Sequence, residues 1–194
     1  PGTEAILIIP IFRIVYLNLS LMKIAVIGAG GVGGYFGGRL AKANYDVTFL
    51  ARGEHLREIK QNGLRVKSVN GDFVVENAQA TDSIREIGLA DIVILAVKAW
   101  QAREISKELA SILKKDTIVL PLQNGVLTAE ELAENIPSDN IIGGLCKIIS
   151  KVESPGVICH FALDPVVIFG EFDSRGTERA ELLKSVFARA EVNS

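Results

Sequence analysis

Gly28, Gly30 and Gly33 in "KIAVIGAGGVGGYFGGRL" have the spacing G-x-G-x-x-G. Between a strand and a helix, glycines so spaced let main-chain amides hold the diphosphate of a dinucleotide, and each has a separate task. Gly28 permits the tight turn, Gly30 lets the backbone approach the ligand, and Gly33 lets the helix pack on the strand. Free amides along Gly28, Ala29, Gly30, Gly31, Val32 and Gly33, with the positive end of the helix dipole, then make an anion site. Gly34, Gly37 and Gly38, further along the same helix, are read as close-packing residues instead.

The choice of dinucleotide falls at the end of the second strand. An acidic residue there would accept hydrogen bonds from a ribose 2′-OH, whereas an arginine can pair with a 2′-phosphate. "DVTFLARGEH" places Arg52 at that point, with Asp46 at the opposite end of the strand and Glu54 arriving only after Gly53. NADP(H) is therefore the expected cofactor; the alternative is a solvated Arg52 with Glu54 on the ribose. Lys98 and Asn124 each follow the carboxyl end of a further apolar strand, where ligands collect in such sheets. Taken alone, a lysine there serves equally as a helix cap, and Asn124-Gly125 is equally a turn dipeptide. His55 and His160 lack a neighbouring nucleophile and carboxylate, and Cys146 and Cys159 fit neither a zinc pattern nor a disulfide framework. No triad and no metal site is expected, and the thiols suit a reducing compartment.

The elements that must position these residues alternate along the chain. "KIAVIG" predicts a buried strand, residues 31–44 a helix with Val32, Phe36, Leu40 and Ala43 on one side, and "DVTFLA" a second strand. Residues 53–62 predict a helix, and "LRVKSV" and "DFVVENA" two strands joined through Asn70-Gly71, a strong hairpin dipeptide. "DIVILAV" is an unbroken apolar run suited to a parallel strand covered on both faces. Residues 100–113 predict an amphipathic helix with Ile105, Leu109, Ile112 and Leu113 inward and Trp100 as a packing residue. "TIVLPL" and "NIIGGL" predict strands with a helix over 130–134 between them, introduced by Thr128. "GVICHF" and "PVVIFGEF" predict two late strands, and 179–189 a last helix. The pattern implies a doubly wound α/β layer fold with a parallel sheet, of the Rossmann type.

Bulk properties bound the partners. With 194 residues, 48% hydrophobic and 23% charged, the chain has the composition of a folded globular protein with one sizeable core. A net charge of -2 supplies no global attraction to nucleic acid or to an anionic membrane, so any anion site is local and its ligand small. Before Met22 stands "AILIIPIFRIVYLNLSL", an apolar stretch broken by Pro10 and charged at Arg13, a poor match to a spanning helix or a signal peptide. The natural start is expected at Met22. Residues 1–21 are then a leader of uncertain origin, with an extra strand or a contact segment as alternatives, and 22–194 a dinucleotide-binding domain.

Four segments together carry a family resemblance: "KIAVIGAGGVGGYFGGRLAKANYDVTFLARG", "DIVILAVKAWQ", "LPLQNGVLTAEEL" and "SPGVICH" with "IFGE". Over residues 22–194 the chain resembles the N-terminal half of ketopantoate reductases, also called 2-dehydropantoate 2-reductases. The lysine-alanine-aromatic-glutamine run and the Gln-Asn-Gly are the particular marks. The resemblance implies NADPH-dependent reduction of 2-dehydropantoate to pantoate, on the way to pantothenate and coenzyme A, in the cytoplasm. It puts residues 28–33 on the pyrophosphate, Arg52 and Lys98 near the 2′-phosphate, Asn124 near the nicotinamide ribose and substrate, and a backbone contact near Ile149. It places the proton-donor lysine in a helical C-terminal domain beyond Ser194, so no residue of this chain, Lys184 included, is assigned that role. A keto acid substrate is the expected partner, without nucleic acid or membrane; a homodimer stays open. Two alternatives stand beside this reading: a non-catalytic nucleotide-sensing module of the same fold, and an NADP-dependent reductase of another 2-keto acid.

Overall fold

A computed structural model describes residues 22–123 and 128–194; the expectations placed on residues 1–21 and on Asn124 lie outside these. The apolar run after Met22 forms β1 (Lys23–Ile27), followed by α1 (Gly31–Lys42) and β2 (Asp46–Leu50). Next come α2 (Gly53–Asn62), β3 (Leu64–Ser68), β4 (Phe73–Val75) and β5 (Gln79–Thr81). A one-turn helix, α3 (Ile84–Ile87), precedes β6 (Ala90–Leu95) and α4 (Ala102–Leu109). The chain ends with β7 (Leu113–Pro121), α5 (Thr128–Ala133), β8 (Gly143–Ser154), β9 (Val157–Gly170) and α6 (Glu178–Arg189).

Five strands form a parallel sheet in the order β5-β2-β1-β6-β7, with β1 at its centre. Side chains alternate across such a strand, and β1 feeds two different cores. Ile24 and Val26 join Phe36 and Leu40 of α1, whereas Ala25 and Ile27 join Ala102, Ile105 and Leu109 of α4 on the other side. Covering both faces is what lets the strand be apolar without interruption. The doubly wound α/β arrangement expected from the sequence is present.

A second sheet, β4-β3-β9-β8, was not foreseen. Its β3–β4 hairpin turns at Asn70-Gly71, as expected, with Gly71 at φ 104. β3 then pairs parallel with β9, and β8 with β9 antiparallel. The two late strands expected from "GVICHF" and "PVVIFGEF" are one long strand with a bulge. The pairing steps from Ile149↔Ala162 to Lys147↔Val166, so residues 163–165 stand opposite Ile148 alone, two of them extra, and Leu163 adopts φ 64. His160, buried, donates from Nε2 to the Leu163 carbonyl at 2.7 Å and accepts at Nδ1 from Ser68 Oγ at 2.8 Å, closing the bulge.

Helix α1 lies between the two sheets. A Cβ at Gly37 would sit 2.6 Å from Phe49 Cε1 and 2.8 Å from Val26 Cγ2, on the parallel sheet. One at Gly34 would sit 2.7 Å from Ile158 Cδ1, and one at Gly38 3.3 Å from Phe73 Cε2, both on the second sheet. Glycines four apart share a helix face, so Gly33 and Gly37 line one seam and Gly34 and Gly38 the other. Close packing is their role.

Two further local expectations need correction. The helix expected over 100–113 is split into a 3-10 turn, Ala99–Gln101, the helix α4, and a second 3-10 turn, Ala110–Ile112; Leu113 already belongs to β7, paired with Ala90. Trp100 is 78% exposed and packs on no helix face, because it stands on the first 3-10 turn and precedes α4. "NIIGGL" is a strand only from Gly143; before it runs the 3-10 turn Ser138–Asn140, and Ile141 makes an isolated bridge to Val119.

Candidate functional site

The carboxyl ends of β1, β2, β6 and β7 and one flank of β8 enclose a cleft of about 750 Å³. This is where open parallel sheets place ligands. Its floor is the loop from β1 to α1. Gly28 is at φ +103, and a Cβ there would lie 2.9 Å from Val97 Cγ1 and 3.1 Å from Val97 N, so only glycine makes this turn. A Cβ at Gly33 would come 2.0 Å from the Gly28 carbonyl oxygen, which fixes how closely the helix starts against the strand. At Gly30 the same test finds nothing within 4 Å, and at Gly31 it finds the Ser150 carbonyl oxygen of β8 at 2.5 Å. The loop is thus closed below, bounded by β8 beside Gly31, and open at Gly30.

Main-chain hydrogen bonds hold that loop. Ala29 N donates to the Leu50 carbonyl at 3.0 Å and Gly34 N to the Gly30 carbonyl at 2.7 Å, while the Gly30 N–H has no main-chain acceptor among the described residues. The first amides of a helix are left free by its geometry, here those following the Gly30 cap. Ala29, Gly31 and Val32 border the cleft with the glycines.

Three cations stand around it, Arg52, Lys98 and Lys151, and no Asp or Glu is among the described residues that line it. Arg52 is the exposed residue capping α2 directly after β2, and its side chain has no ion-pair or hydrogen-bond partner among the described residues. Glu54 faces Arg57, at 3.8 Å, and Asp46 at the far end of β2 accepts from Gln79 Nε2 at 3.2 Å. Lys98 follows β6; its main-chain N–H donates to Gln101 Oε1 at 3.2 Å and its side chain is exposed at the cleft edge. Fixed positive charge without a carboxylate nearby favours a phosphorylated ligand.

Ile149, expected near a cofactor, is 41% exposed and does not line the cleft. Successive residues of a strand face opposite ways, and here Ile148 and Ser150 border the cleft. Asn124 lies outside the described residues. Its neighbour Gln123 borders the cleft, 7% exposed, and among the described residues neither its Oε1 nor its Nε2 nor the buried Ser150 Oγ has a hydrogen-bond partner. Buried polar groups are rarely left so. With the space at Gly30, these orphaned groups are what a cleft shaped around an elongated polar ligand shows, and the residues present fit a dinucleotide.

The sequence reading weighed His55 only as a triad or metal residue and gave it no part in binding, yet it also borders the cleft. Its Nδ1 accepts from Gly156 N at 2.9 Å, so the proton resides on Nε2, which donates to the Ala29 carbonyl at 2.7 Å. No local sequence pattern marks an imidazole that reaches back to the glycine loop. Cys146 borders the cleft as well; burial pushes its thiol up to about 11, and its Sγ lies 3.4 Å from the Leu122 carbonyl, so it is a poor nucleophile. Among the described residues no group of three His, Cys, Asp or Glu side chains could hold a metal, and no helix is long and apolar enough to cross a membrane.

Comparison with known proteins gives consistent matches. The family model of the ketopantoate reductase PanE/ApbA matches residues 24–174. A 2-dehydropantoate 2-reductase of Nostoc is 39% identical over 150 residues, covering 77% of this chain and 46% of the relative. The crystal structure of 2-dehydropantoate 2-reductase from Geobacter metallireducens superposes with a TM-score of 0.83 at 34% identity, covering 89% of this chain and 56% of that one. A ternary structure of D-mandelate dehydrogenase with NADH and anilino(oxo)acetate superposes at 0.77 with 27% identity, covering 89% and 55%. The chain spans about half the length of the curated relatives it matches.

Proposed function

Because this chain belongs to the ketopantoate reductase PanE/ApbA family, we propose that it supplies the dinucleotide-binding part of an NADPH-dependent reductase of 2-dehydropantoate, forming pantoate. The observation that supports this reading most is the cleft itself: a glycine loop open at Gly30, unpaired Arg52 at the end of β2, and no lining carboxylate among the described residues. In this reading the free amides of the loop 28–33 take the diphosphate, that of Ala29 excepted because Leu50 holds it, and Arg52 and Lys98 take the 2′-phosphate. Asn124 serves the nicotinamide ribose and the substrate, and the main chain around Ile149 adds a contact. When bound, a reduced nicotinamide supplies hydride to a ketone carbon. Gln123 offers a donor and an acceptor from a buried position and so orients a polar group, while Leu122, Ile148 and Val97 exclude water beside it. The proton that completes the reduction is assigned to none of these residues.

Titration with NADPH and NADH, followed by nicotinamide fluorescence, tests the cofactor. NADPH is expected to bind more tightly, and Arg52→Ala to weaken it roughly tenfold to a hundredfold, the worth of one or two charge-assisted hydrogen bonds, while NADH changes little. A preference for NADH in the parent protein would remove Arg52 from the 2′-phosphate. The likeness to D-mandelate dehydrogenase, solved with NADH, favours a second reading: a reductase of another 2-keto acid. Turnover of the full-length form on 2-dehydropantoate, compared with other branched and aromatic 2-keto acids, separates the two.

A further inference from the structure

The geometry points to His55 as a positioning residue for the diphosphate, acting through the peptide bond between Ala29 and Gly30. This rests on the dinucleotide reading above and adds to it a side chain outside the glycine motif. A peptide unit is planar and trans, so its carbonyl and its N–H point to opposite edges. The Ala29 carbonyl receives the His55 Nε2–H at 2.7 Å, and the Gly30 N–H on the other edge is left with no main-chain acceptor among the described residues. Fixing the carbonyl therefore fixes the direction of a free amide in the loop that would meet the diphosphate.

The imidazole is itself anchored. Its Nδ1 accepts from Gly156 N at 2.9 Å, in the turn between β8 and β9, and the Gly156 carbonyl accepts from Arg65 N of β3 at 2.9 Å. Gly156 is at φ +73, and a Cβ there would lie 3.0 Å from Glu58 Cβ of α2, so the turn is seated closely on that helix. The other end of the Ala29 residue is held by Leu50 of β2, through Ala29 N at 3.0 Å. With both its N–H and its carbonyl engaged, Ala29 cannot rotate its following peptide freely. A glycine-rich loop has more conformations to lose than any other, and one held in place before binding loses less on taking a ligand. Replacing the imidazole removes the constraint on the carbonyl edge only, the edge opposite the free amide.

The test compares three probes, NADPH, NADH and adenosine 2′-phosphate, which has no diphosphate, on the parent protein, His55→Ala and His55→Gln, with thermal unfolding of each. Glutamine retains one donor and one acceptor at its tip and can make both contacts in the neutral pattern. His55→Ala is expected to weaken NADPH and NADH by the same factor, about tenfold for one oriented hydrogen bond to a charged group, and to leave adenosine 2′-phosphate unchanged. His55→Gln is expected to recover most of that loss. Equal weakening of all three probes, no weakening of either dinucleotide, or a glutamine variant as weak as alanine at an unchanged melting temperature would overturn the assignment. A parent protein that binds neither dinucleotide would overturn the dinucleotide reading itself, and His55 with it.

Discussion

Gly28 and Gly30 stand two positions apart, yet a methyl group has opposite consequences at each. At Gly28 it meets Val97 while the backbone is at φ +103, so Gly28→Ala combines an unfavourable left-handed backbone with overlap and should lower stability by about 2–3 kcal/mol. At Gly30 φ is -72 and the space is empty. Gly30→Ala should leave thermal stability unchanged or raise it by up to about 1 kcal/mol, since alanine restricts the unfolded chain more than glycine does. Its dinucleotide affinity should nevertheless fall at least tenfold, because the methyl occupies the approach to the loop. Calorimetric unfolding and fluorescence titration of the same two variants measure both quantities, and full affinity in Gly30→Ala would show that no ligand comes close there. At this scale the places of the glycines and of Arg52 at the cleft could be read from spacing, whereas Lys98, which spacing left equally a helix cap, was singled out by the family resemblance. Gln123 and His55 were not legible, because nothing in their neighbours announces that an amide will be buried without partners or that an imidazole will bridge two turns.

Among the elements, α6 is fastened by charge as well as by its apolar side. Arg179 donates from Nε to Glu171 Oε1 at 2.7 Å and from a terminal nitrogen to Oε2 at 2.5 Å, and Thr177 Oγ1 donates to the same carboxylate at 2.6 Å. The guanidinium holds the Glu171 carboxyl below its ordinary value of 4.5, against burial, which pushes it up. A carboxyl depressed in the folded state stabilises it fully above its unfolded value and loses that contribution as pH falls through the folded one. Thermal stability should therefore decline below about pH 4.5, and Glu171→Gln should cost about 1–3 kcal/mol at neutral pH and flatten that acid limb. A variant with the parent's acid profile would show the pair to be inert. β1, β2, β6 and β7 could be read from apolar runs and glycine, because a helix follows each of them; β5 (Gln79–Thr81) could not, being three residues without an apolar run. β8 and β9 were misread since their sheet is completed by the long-range pairing of β3 with β9 and Asp164-Pro165 imitates a turn. The chain bulges there instead, and His160 supplies the carbonyls with a donor that no local pattern reveals.

Over the whole molecule, charge and apolar surface are unevenly spread. The net charge is -2, yet the cleft presents only cations among its described charged residues, so salt should weaken dinucleotide binding more than the overall charge suggests. On the second sheet, Leu145, Ile149, Phe161, Leu163 and Ile168 are exposed, with Leu145 paired across to Ile168. Clustered apolar exposure promotes association. Light scattering of this chain should show concentration-dependent self-association, reduced by Ile149→Lys with Ile168→Lys; a clean monomer for the parent would oppose this. The two glycine seams of α1 reach further. They let one helix act as a thin shim between sheets, so the gap from β1 to β9 is set by four missing methyl groups. Widening it at Gly34, on the seam facing the second sheet, would lever Ser150 off Gly31, and the ligand's berth would lose its wall through a change made one helical turn away.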